Sequence, residues 1–460
     1  MARLVVVSNR VASPRERAAK AGGLAVALRE ALSQRGGLWF GWSGETQVNP
    51  PPPKVFRSGR VTYALQDLDP DDQRAHYAGY ANGTLWPLCH YRLGLLSFRR
   101  SDWEGYRRVN EHFARSLLPL LKPDDIIWVH DYHFIPLAAE LRKLGFTGRI
   151  GYFHHIPWPT PEVFLSLPSH AALVGDLSHY DLVGLQTEDD VRALLTYISS
   201  EAHGWIAPGG GVGLNDRRFR VVAYPIGIDA EAFVKDARAS VGKEEEKRLK
   251  ASLAGRALAV GVDRLDYSKG LPGKFAAFGD FLARYPEHRS KMTLMQIAPL
   301  SRAEVAEYQA LRRELEELGG AINGEYAEFD WVPLRYLNRP FQRATLAAIY
   351  RNARLGIVTP LRDGMNLVAK EYVAAQDPEN PGVLVLSRFA GAAHELSGAL
   401  LVNPYDVEGM ADAFHRAFTM PVEERRERWR ANMDQVAKTT IHSWCEDFLA
   451  DLSQVPDHFG

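Results

Sequence analysis

The stretch "ALAVGVDRLDYSKGLPGKFAAFGDFL" (residues 257–282) changes its hydrophobic period half-way along. Leu258 to Val262 form a short, continuous apolar run, which is typical of a strand buried in a parallel sheet. From Leu271 to Leu282, apolar side chains recur at the three- and four-residue spacing of an amphipathic helix. The stretch therefore predicts a strand that passes through a charged loop into a helix, the repeating unit of α/β sheets.

The same alternation recurs along the 460 residues in two series of five predicted strands. We expect these strands at 3–9, 125–131, 149–155, 181–187 and 219–225, then at 257–262, 291–298, 355–360, 382–387 and 399–404. Helical patterns separate them, so the predicted fold class is α/β, with two doubly wound Rossmann-like domains facing a cleft. The predicted domains are 1–228 and 229–440, followed by a C-terminal helix at 441–460 that packs back across the junction.

Composition excludes several classes of protein. Lys plus Arg (55) nearly cancels Asp plus Glu (56), so no global field favours nucleic acid or an anionic membrane. Two cysteines are too few for a disulfide framework or a thiolate metal site, and we expect thiols in a reducing cytosol. No long apolar stretch indicates a membrane span. We expect a cytoplasmic protein without a nucleic-acid or membrane partner.

The loop between the predicted strand and helix carries Arg264 and Lys269. A helix dipole disfavours cations at its start unless something negative neutralises them, and backbone N–H groups there already favour an anion. The two cations therefore predict a diphosphate site. The alternative is that Arg264 pairs with Asp263 or Asp266.

Two further loops have the features of phosphate sites. Gly22 and Gly23 open a predicted helix, with Arg10 at the end of the preceding strand. Taken alone, two glycines more often mark a tight turn, which is the alternative here. Arg302 follows the strand at 291–298, beside another helix start. Two separate phosphate sites imply a donor that carries a diphosphate and an acceptor that carries a phosphate.

Carboxylates and a histidine occupy other strand ends. Asp363 and Glu371 suit sugar hydroxyls and a ribose diol, because ionised carboxylates only accept hydrogen bonds; helix capping and a solvated surface are the alternatives. Asp131 and His155 each end an apolar strand, where polar side chains of such sheets converge. A structural histidine is the alternative for His155.

Aromatic residues cluster early in the chain. We assign Trp39 to the core and Trp42, Tyr77 and Trp86 to a sugar site, where rings pack against carbohydrate faces. The acidic run "DLDPDD" (67–72) contains Pro70 and has no flanking apolar strand, which favours a solvated turn over a metal site. We therefore expect neither a metal nor another cofactor.

Taken together, these loops resemble the motif set of one family. The segments "VVVSNR", "AGGLAVAL", "GGLWFGWSGET", "WVHDYH", "HHIPWPTPE", "RLDYSKGLP", "QIAP", "LRDGMNLVAKEYVAAQ" and "VLSRFAGAAHEL" are similar to the trehalose-6-phosphate synthase family, glycosyltransferase family 20, from about residue 3 to about 450. The resemblance implies a GT-B fold and metal-independent transfer of glucose from a nucleotide sugar, UDP-glucose first, to glucose 6-phosphate. It also implies retention of the α-anomer and self-association into a homo-oligomer.

The resemblance implies a role for individual residues. It assigns catalysis to Arg264, Lys269, His155 and Asp131. It assigns donor contacts to Gly22, Gly23, Arg264, Lys269, Phe341, Asp363, Leu367, Val368, Ala369, Lys370 and Glu371. It assigns acceptor contacts to Arg10, Tyr77, Asp131 and Arg302, with the two arginines at the phosphate, and selection of the acceptor anomer to Trp86 and Ile156. His155 would bond the transferred glucose.

Two rival functions remain at this point. A related retaining transferase would use another phosphorylated acceptor, such as glycerol 3-phosphate or a cyclitol phosphate. A non-catalytic sugar-phosphate sensor would keep the fold without turnover. The presence of Arg264, Lys269, Asp363 and Glu371 in one chain argues against the sensor.

Overall fold

A computed structural model describes residues 2–11, 28–29, 32–33, 35–300 and 306–455 of the chain. The chain divides into two compact units. The first unit runs to Pro225 and resumes at His442, and the second comprises Ile226–Ile441. The predicted division followed residue 228, and the observed one falls directly after Pro225.

The described residues of the first unit form ten strands. They are β1 Leu4–Arg10, β2 Gly37–Thr46, β3 Lys54–Ser58, β4 Val61–Leu68, β5 Ile126–His130, β6 Ile150–Phe153, β7 Leu182–Leu185, β8 Trp205–Ala207, β9 Gly211–Leu214 and β10 Arg217–Ala223. Between residues 37 and 225 its α-helices are α1 Pro70–Gln73, α2 Trp86–Cys89, α3 Arg100–Leu117, α4 Leu137–Lys143, α5 Pro161–Phe164, α6 His170–Leu177 and α7 Glu188–Ser200. A π-helical stretch, Arg74–Leu85, joins α1 to α2.

Where the structure describes the second unit, its chain forms six strands. They are β11 Ala257–Val262, β12 Met292–Ile297, β13 Leu334–Leu337, β14 Ala353–Val358, β15 Val383–Ser387 and β16 Leu400–Val402. The remaining helices are α8 Ala230–Ala239, α9 Glu244–Leu253, α10 Leu271–Arg284, α11 Ala306–Tyr326, α12 Arg343–Arg351, α13 Leu367–Ala375, α14 Val407–Thr419, α15 Val422–Lys438 and α16 Ile441–Gln454. From His442 onward, α16 belongs to the first unit.

The first sheet has the order β3-β4-β2-β1-β5-β6-β7-β10-β9-β8. Its pairings from β4 to β10 are all parallel, and β3 and β9 run antiparallel at the two sides. The five predicted strands are present as β1, β5, β6, β7 and β10. The sequence interpretation missed β2, because the run "GLWFGWSGET" was taken only as an aromatic cluster, although its burial pattern is that of an inner strand.

The second sheet has the order β13-β12-β11-β14-β15-β16 and is parallel throughout. In chain order this is 3-2-1-4-5-6, the arrangement of a dinucleotide-binding Rossmann sheet. The five predicted strands are all present, and β13 is the addition. Because β13 has only four residues, three of them half-buried, it lacks the apolar run that marked the others.

Each unit has its own apolar core. In the first, Trp128 stacks on Phe448 of α16 at 4.8 Å between ring centroids, and a Cβ at Gly151 or Gly184 would lie within 2.8 Å of the Phe448 ring. In the second, Phe275 and Phe278 of α10 are fully buried, each worth about 2 to 3 kcal/mol of hydrophobic stabilisation. No described helix combines the length and apolarity needed to cross a membrane.

Candidate functional site

The loop after β11 carries the cations that the sequence indicated. Arg264 is exposed, whereas Lys269 ends a single helical turn, Tyr267–Lys269, and is only 9% exposed. Gly270 follows with φ 64°, and a Cβ there would collide with the Thr359 carbonyl oxygen. Glycine is therefore required where this loop passes the segment after β14. Helix α10 begins at the next residue, so both cations precede a helix start, as predicted.

The two carboxylates considered as alternative partners of Arg264 have other contacts. Asp263 Oδ2 accepts a hydrogen bond from Lys274 Nζ at 2.7 Å, and Asp263 Oδ1 has no hydrogen-bond partner among the described residues. Asp266 caps the turn by accepting from the Ser268 backbone at 3.0 Å, and it also accepts from the Tyr308 hydroxyl at 3.0 Å. A simple Arg264–Asp263 pair is therefore excluded.

The carboxyl ends of β11 and β14 meet where the strand order of the second sheet reverses, which is where ligands of such sheets bind. Asp363, in the loop after β14, forms an ion pair with Lys269 Nζ, and the two side chains are 16% and 11% exposed. Asn366 Nδ2 donates to the same carboxylate oxygen at 3.0 Å. The structure thus brings together the predicted diphosphate residue and the predicted sugar residue, with Asn366 as a partner that sequence reasoning missed.

Helix α13 begins at Leu367 and carries the rest of the predicted donor stretch. Ala369 and Lys370 are buried, and Leu367, Val368 and Glu371 are half-buried. Lys370 Nζ lies 2.6 Å from Glu395 Oε2 and donates to the Ile226 carbonyl oxygen at 2.8 Å. Because this side chain is engaged within the protein, only the backbone of Lys370 remains for the donor contact that we predicted.

Glu371 lies in a dehydrated position on α13. Burial raises the pKa of its carboxyl to about 7, while the Tyr350 hydroxyl and the Arg343 guanidinium oppose that shift. Burial, with the nearby charges of Glu371 and Asp263, raises the pKa of Tyr350 well above its usual value, so the hydroxyl keeps its proton. In the ionised form, Glu371 has the acceptor capacity that a ribose diol requires.

Phe341, predicted to lie near the donor base, is half-buried in the segment before α12. The Arg339 guanidinium lies 4.9 Å from its ring centroid, an arrangement typical of a cation–π contact. The backbone contact with a base stays a prediction. Gly22, Gly23 and Arg302 fall outside the described residues, so their assignments also stay predictions.

In the first sheet, β1 and β5 are the neighbours at which the strand order reverses. Asp131 directly follows β5 with φ 76° and ψ 165°, a backbone conformation that is costly for a residue with a Cβ. Its Oδ1 accepts from the His155 backbone N–H at 3.2 Å. The structure therefore places Asp131 and His155 together, and the backbone strain at Asp131 is of the kind that clusters at functional sites.

The histidines His130, His154 and His155 are neutral. Burial lowers the pKa of His155 to about 3, with His154 adding to the effect, and burial likewise lowers the pKa of His130 well below its usual value. His155 Nε2 lies 3.1 Å from His130 Nδ1, and His154 Nδ1 lies 2.8 Å from the Tyr152 hydroxyl. These rings exchange hydrogen bonds without carrying charge. The contact with His130 engages Nε2 of His155, so the predicted bond to the transferred glucose would have to use Nδ1.

Three residues predicted for the sugar-phosphate site lie together around one ring, that of Trp42. The guanidinium of Arg10, at the end of β1, lies 5.7 Å from the Trp42 ring centroid, and the Tyr77 ring lies 5.8 Å from the same ring. Tyr77 also stacks on His133 at 5.9 Å. Gly44 has φ 93°, and a Cβ there would collide with the Arg10 guanidinium. Glycine at position 44 therefore leaves the space that the Arg10 guanidinium occupies, and sequence reasoning missed this requirement.

The remaining aromatic assignments differ in outcome. Trp39 is fully buried and donates to Ser8 Oγ at 2.8 Å, which confirms that it belongs to the core. Trp86 is 5% exposed and packs 4.1 Å from the His90 ring, and Ile156 is 6% exposed. Both are largely enclosed by protein, so their role in selecting the acceptor anomer stays a prediction.

The prediction that the acidic run 67–72 has no flanking apolar strand is wrong. Strand β4, Val61–Leu68, leads directly into it, so the run does have a flanking apolar strand. Asp67 accepts from Ser43 Oγ at 2.5 Å, and Asp69 caps α1 by accepting from the backbone of the second residue that follows it. Two of its carboxylates thus have structural tasks. The error arose because alternating burial in β4 gives no continuous apolar run.

The described residues do contain one group with the spacing of metal ligands. Glu287, His288 and His415 bring one ligand atom each to within 4.8 Å of one another. His288 Nε2 and His415 Nδ1 are already hydrogen-bonded to each other at 2.9 Å. The group follows the C-terminus of α10, at the opposite end of that helix from the Arg264–Lys269 loop, so it has no part in that site.

Comparison with known proteins identifies the family. The sequence model of glycosyltransferase family 20 matches residues 2–454. The chain belongs to glycosyltransferase family 20. Trehalose-6-phosphate synthase from Sinorhizobium fredii is 51% identical over 464 residues, covering 100% of both chains. An α,α-trehalose-phosphate synthase (UDP-forming) from Burkholderia xenovorans, solved in complex with glucose-6-phosphate, has a TM-score of 0.95 at 49% identity over 98% of this chain and 100% of its own.

A second solved structure, from Escherichia coli and bound with UDP-2-fluoro glucose, has a TM-score of 0.94 at 49% identity and covers 99% of both chains. These similarities confirm the family resemblance and the predicted α/β fold class. The two parallel-sheet units of this family member are those of a GT-B fold.

Proposed function

We propose that this chain transfers glucose from a nucleoside diphosphate glucose, UDP-glucose first, to glucose 6-phosphate, with retention, giving α,α-trehalose 6-phosphate. The observation that carries the proposal is the pairing of Lys269 with Asp363 at the switch point of a Rossmann sheet, beside Arg264 and a helix start. Full-length relatives at about half identity are trehalose-6-phosphate synthases, and solved relatives hold glucose-6-phosphate or UDP-2-fluoro glucose.

The second unit is assigned the donor. Without ligand, Asp363 neutralises Lys269; a bound diphosphate supplies the same negative charge to Lys269 and Arg264 and frees Asp363 to accept hydroxyls of the donor sugar. Ionised Glu371 accepts the ribose hydroxyls, and the backbone from Leu367 to Lys370 lines the same helix start. Gly22, Gly23 and the backbone near Phe341 complete the proposed donor contacts.

We assign three of the four acceptor contacts to the first unit. Arg10 binds the phosphate of glucose 6-phosphate, a role also predicted for Arg302, and Tyr77 contacts the same Trp42 ring as Arg10. Asp131 accepts from acceptor hydroxyls, while neutral His155 bonds the transferred glucose. Trp86 and Ile156 select which anomer of the acceptor binds.

The proposed reaction is a front-face displacement. The bond from the anomeric carbon of the donor to the diphosphate oxygen breaks, and the anomeric hydroxyl oxygen of the acceptor bonds to that carbon on the same face. Arg264 and Lys269 stabilise the charge that develops on the leaving diphosphate, an effect worth roughly 3 to 4 kcal/mol for one such donor. The leaving phosphate oxygen takes the acceptor proton, so no carboxylate nucleophile and no metal is required of the chain.

Incubation of the purified protein with UDP-glucose and glucose 6-phosphate tests the proposal. We expect release of UDP that depends on the acceptor, with an α,α-linked disaccharide phosphate visible by NMR. Parallel reactions replace the acceptor with glycerol 3-phosphate or a cyclitol phosphate, or the donor with GDP-glucose. Release of UDP only with another acceptor would favour the related transferase, and binding of both substrates without release would favour the sensor.

We further propose that the enzyme is cytoplasmic and self-associates. Cys89 and Cys445 are buried and form no disulfide among the described residues, which supports a reducing compartment. Sedimentation of the purified protein over a range of concentrations tests the self-association, which a single monomeric species at all concentrations would contradict.

A further inference from the structure

A fully buried ion pair lies directly beneath the Arg264–Lys269 loop. Asp263 is the first residue after β11, and Lys274 lies in the first turns of α10. Lys274 Nζ donates to Asp263 Oδ2 at 2.7 Å and to Gln296 Oε1 of β12 at 3.0 Å. The side chains of the ion pair are 1% and 0% exposed.

This pair closes the loop at its base. Asp263 and Lys274 flank the ten residues from Arg264 to Gly273, so their contact joins the strand end to the start of the helix. A Cβ at Gly261 would collide with Gln296 Oε1 and lie 2.8 Å from Lys274 Nζ. The glycine in β11 thus leaves room for a polar cluster inside the sheet–helix layer, where an apolar contact would be expected.

A buried ion pair needs a reason beyond stability. Removing two charges from water costs about as much as their attraction returns, and hydrophobic replacements are often equally stable. An ion pair differs from an apolar contact in fixing distance and direction between its partners. Here the fixed points are the residue adjoining Arg264 and a residue five positions after Lys269.

We propose that the Asp263–Lys274 pair, supported by Gln296, positions Arg264 and Lys269 for the leaving diphosphate. The proposal rests on the glucose transfer stated above. Asp263, Lys274 and Gln296 are positioning residues because they act through the loop. The pair also sets the direction in which Lys269 reaches Asp363, since Gly270 and the first turn of α10 separate Lys269 from Lys274.

The test separates positioning from stability with two variants. Asp263→Asn leaves Lys274 buried with its charge unpaired, and we expect a lower unfolding temperature and at least a tenfold lower kcat. The double variant Asp263→Asn/Lys274→Met removes the charge as well. We expect it to regain most of the unfolding temperature, because uncharged side chains replace the pair, while kcat stays at least tenfold below the parent.

The KM for glucose 6-phosphate should stay within about twofold in both variants, because three of the four assigned acceptor contacts, Arg10, Tyr77 and Asp131, lie in the other unit. The matched control is Asp181→Asn, which breaks the Arg142–Asp181 pair of the first unit, 8% and 13% exposed. The control should lower the unfolding temperature without lowering kcat at a temperature where the protein is folded.

A double variant with both unfolding temperature and kcat restored would overturn the proposal, because the pair would then serve stability alone. Where either variant fails to fold, Lys274→Arg keeps the charge and moves the donor atoms. A folded Lys274→Arg protein with parental kcat would also count against positioning.

Failure of the proposed glucose transfer can be distinguished from failure of the positioning proposal. A parent protein without UDP release refutes the transferase, and calorimetric UDP binding then tests the loop. The double variant should bind UDP several-fold more weakly, and equal affinity would overturn positioning.

Discussion

The loops at the two switch points treat their ionisable groups in opposite ways. In the first unit, burial lowers the pKa of His154 and His155 to about 3, and these rings are neutral. In the second unit, Lys269 and Asp363 are almost as enclosed, yet they form an ion pair. Both sites lie at the carboxyl ends of parallel strands, so topology alone does not set their chemistry.

The difference corresponds to two kinds of ligand. A neutral set of imidazoles with one carboxylate, Asp131, offers directional hydrogen bonds of the type that sugar hydroxyls use. An ion pair beside a helix start holds a cation ready for a diphosphate that competes with Asp363 for Lys269. The contrast predicts effects on turnover in the second unit and effects on acceptor affinity in the first.

The largest expected effect comes from the loop cations. Lys269→Ala and Arg264→Ala should each lower kcat about 100- to 1000-fold, the loss seen when a donor to developing charge is removed. Lys269→Ala should also lower stability by about 3 kcal/mol, because it removes the cation that neutralises the enclosed Asp363 carboxylate. Arg264 is exposed, so its removal should leave stability unchanged. Turnover assays and thermal unfolding measure both.

A Lys269→Ala enzyme with normal turnover would refute the role assigned to the loop. Equal losses of stability in the two variants would remove the distinction between an enclosed and an exposed cation.

The next effect concerns the acceptor phosphate. Arg10→Ala should raise the KM for glucose 6-phosphate about 10- to 100-fold, since a hydrogen bond to a charged group is worth roughly 1.5 to 3 kcal/mol. The kcat at saturating acceptor should change little. Glucose without a phosphate should lose no affinity through this variant. The exposed Arg115, paired with Glu111 on α3, provides a matched control, and an equal effect of Arg115→Ala would refute the assignment.

The next effect concerns Glu371, which is assigned to donor binding and should destabilise the ligand-free fold when it is ionised. Its pKa in the folded chain is about 7 against 4.5 unperturbed, so ionisation destabilises the fold increasingly as pH rises from 4.5 and fully above 7. At 1.36 kcal/mol for each unit of pKa, Glu371→Gln should stabilise the ligand-free protein by up to about 3 kcal/mol at pH 8. The gain should shrink at pH 5, and UDP binding should weaken.

Thermal unfolding of the parent and of Glu371→Gln at pH 5 and pH 8 measures this effect, with calorimetry for UDP. A variant that is less stable than the parent at pH 8 would contradict the dehydrated setting of this carboxyl.

The smallest expected effect is the absence of a titration of His154 and His155 between pH 5 and pH 8. Because burial holds the pKa of His154 and His155 at about 3, their ring resonances should not shift between pH 5 and pH 8. NMR of histidine-labelled protein, with His155→Asn for assignment, measures this. A midpoint near 6.5 for His155 would mean that the first unit carries charge in the working range, which would remove the contrast between the two units.

The sequence predicted the parts of the fold that depend on continuous apolar runs. All five predicted strands of each series are present, because buried parallel strands such as Leu258 to Val262 have a distinct pattern. Strand β4 was missed because its burial alternates, and β13 because it is short. Both strands are recognised by their hydrogen-bonded pairing with neighbouring strands, and a single sequence does not show that pairing.

The site could be predicted to the level of residue type and strand end, but not of partners. That Arg264 and Lys269 precede a helix follows from the apolar periods on either side. That Lys269 pairs with Asp363 depends on β11 and β14 being neighbours, which requires the strand order. Asn366, Gly44 and the Asp263–Lys274 pair were missed for the same reason, although the unusual Lys274 at a helix start was visible as a signal.

The proposed mechanism requires that the loop cations act on the leaving diphosphate and not only on the bound donor. The direct test is the single-turnover rate of UDP-glucose consumption by Arg264→Ala at saturating donor and glucose 6-phosphate, together with its calorimetric UDP affinity. We predict a rate at least 100-fold below that of the parent and a UDP dissociation constant raised less than tenfold. A rate that returns to the parental value at saturating donor would contradict the claim, because Arg264 would then contribute binding alone.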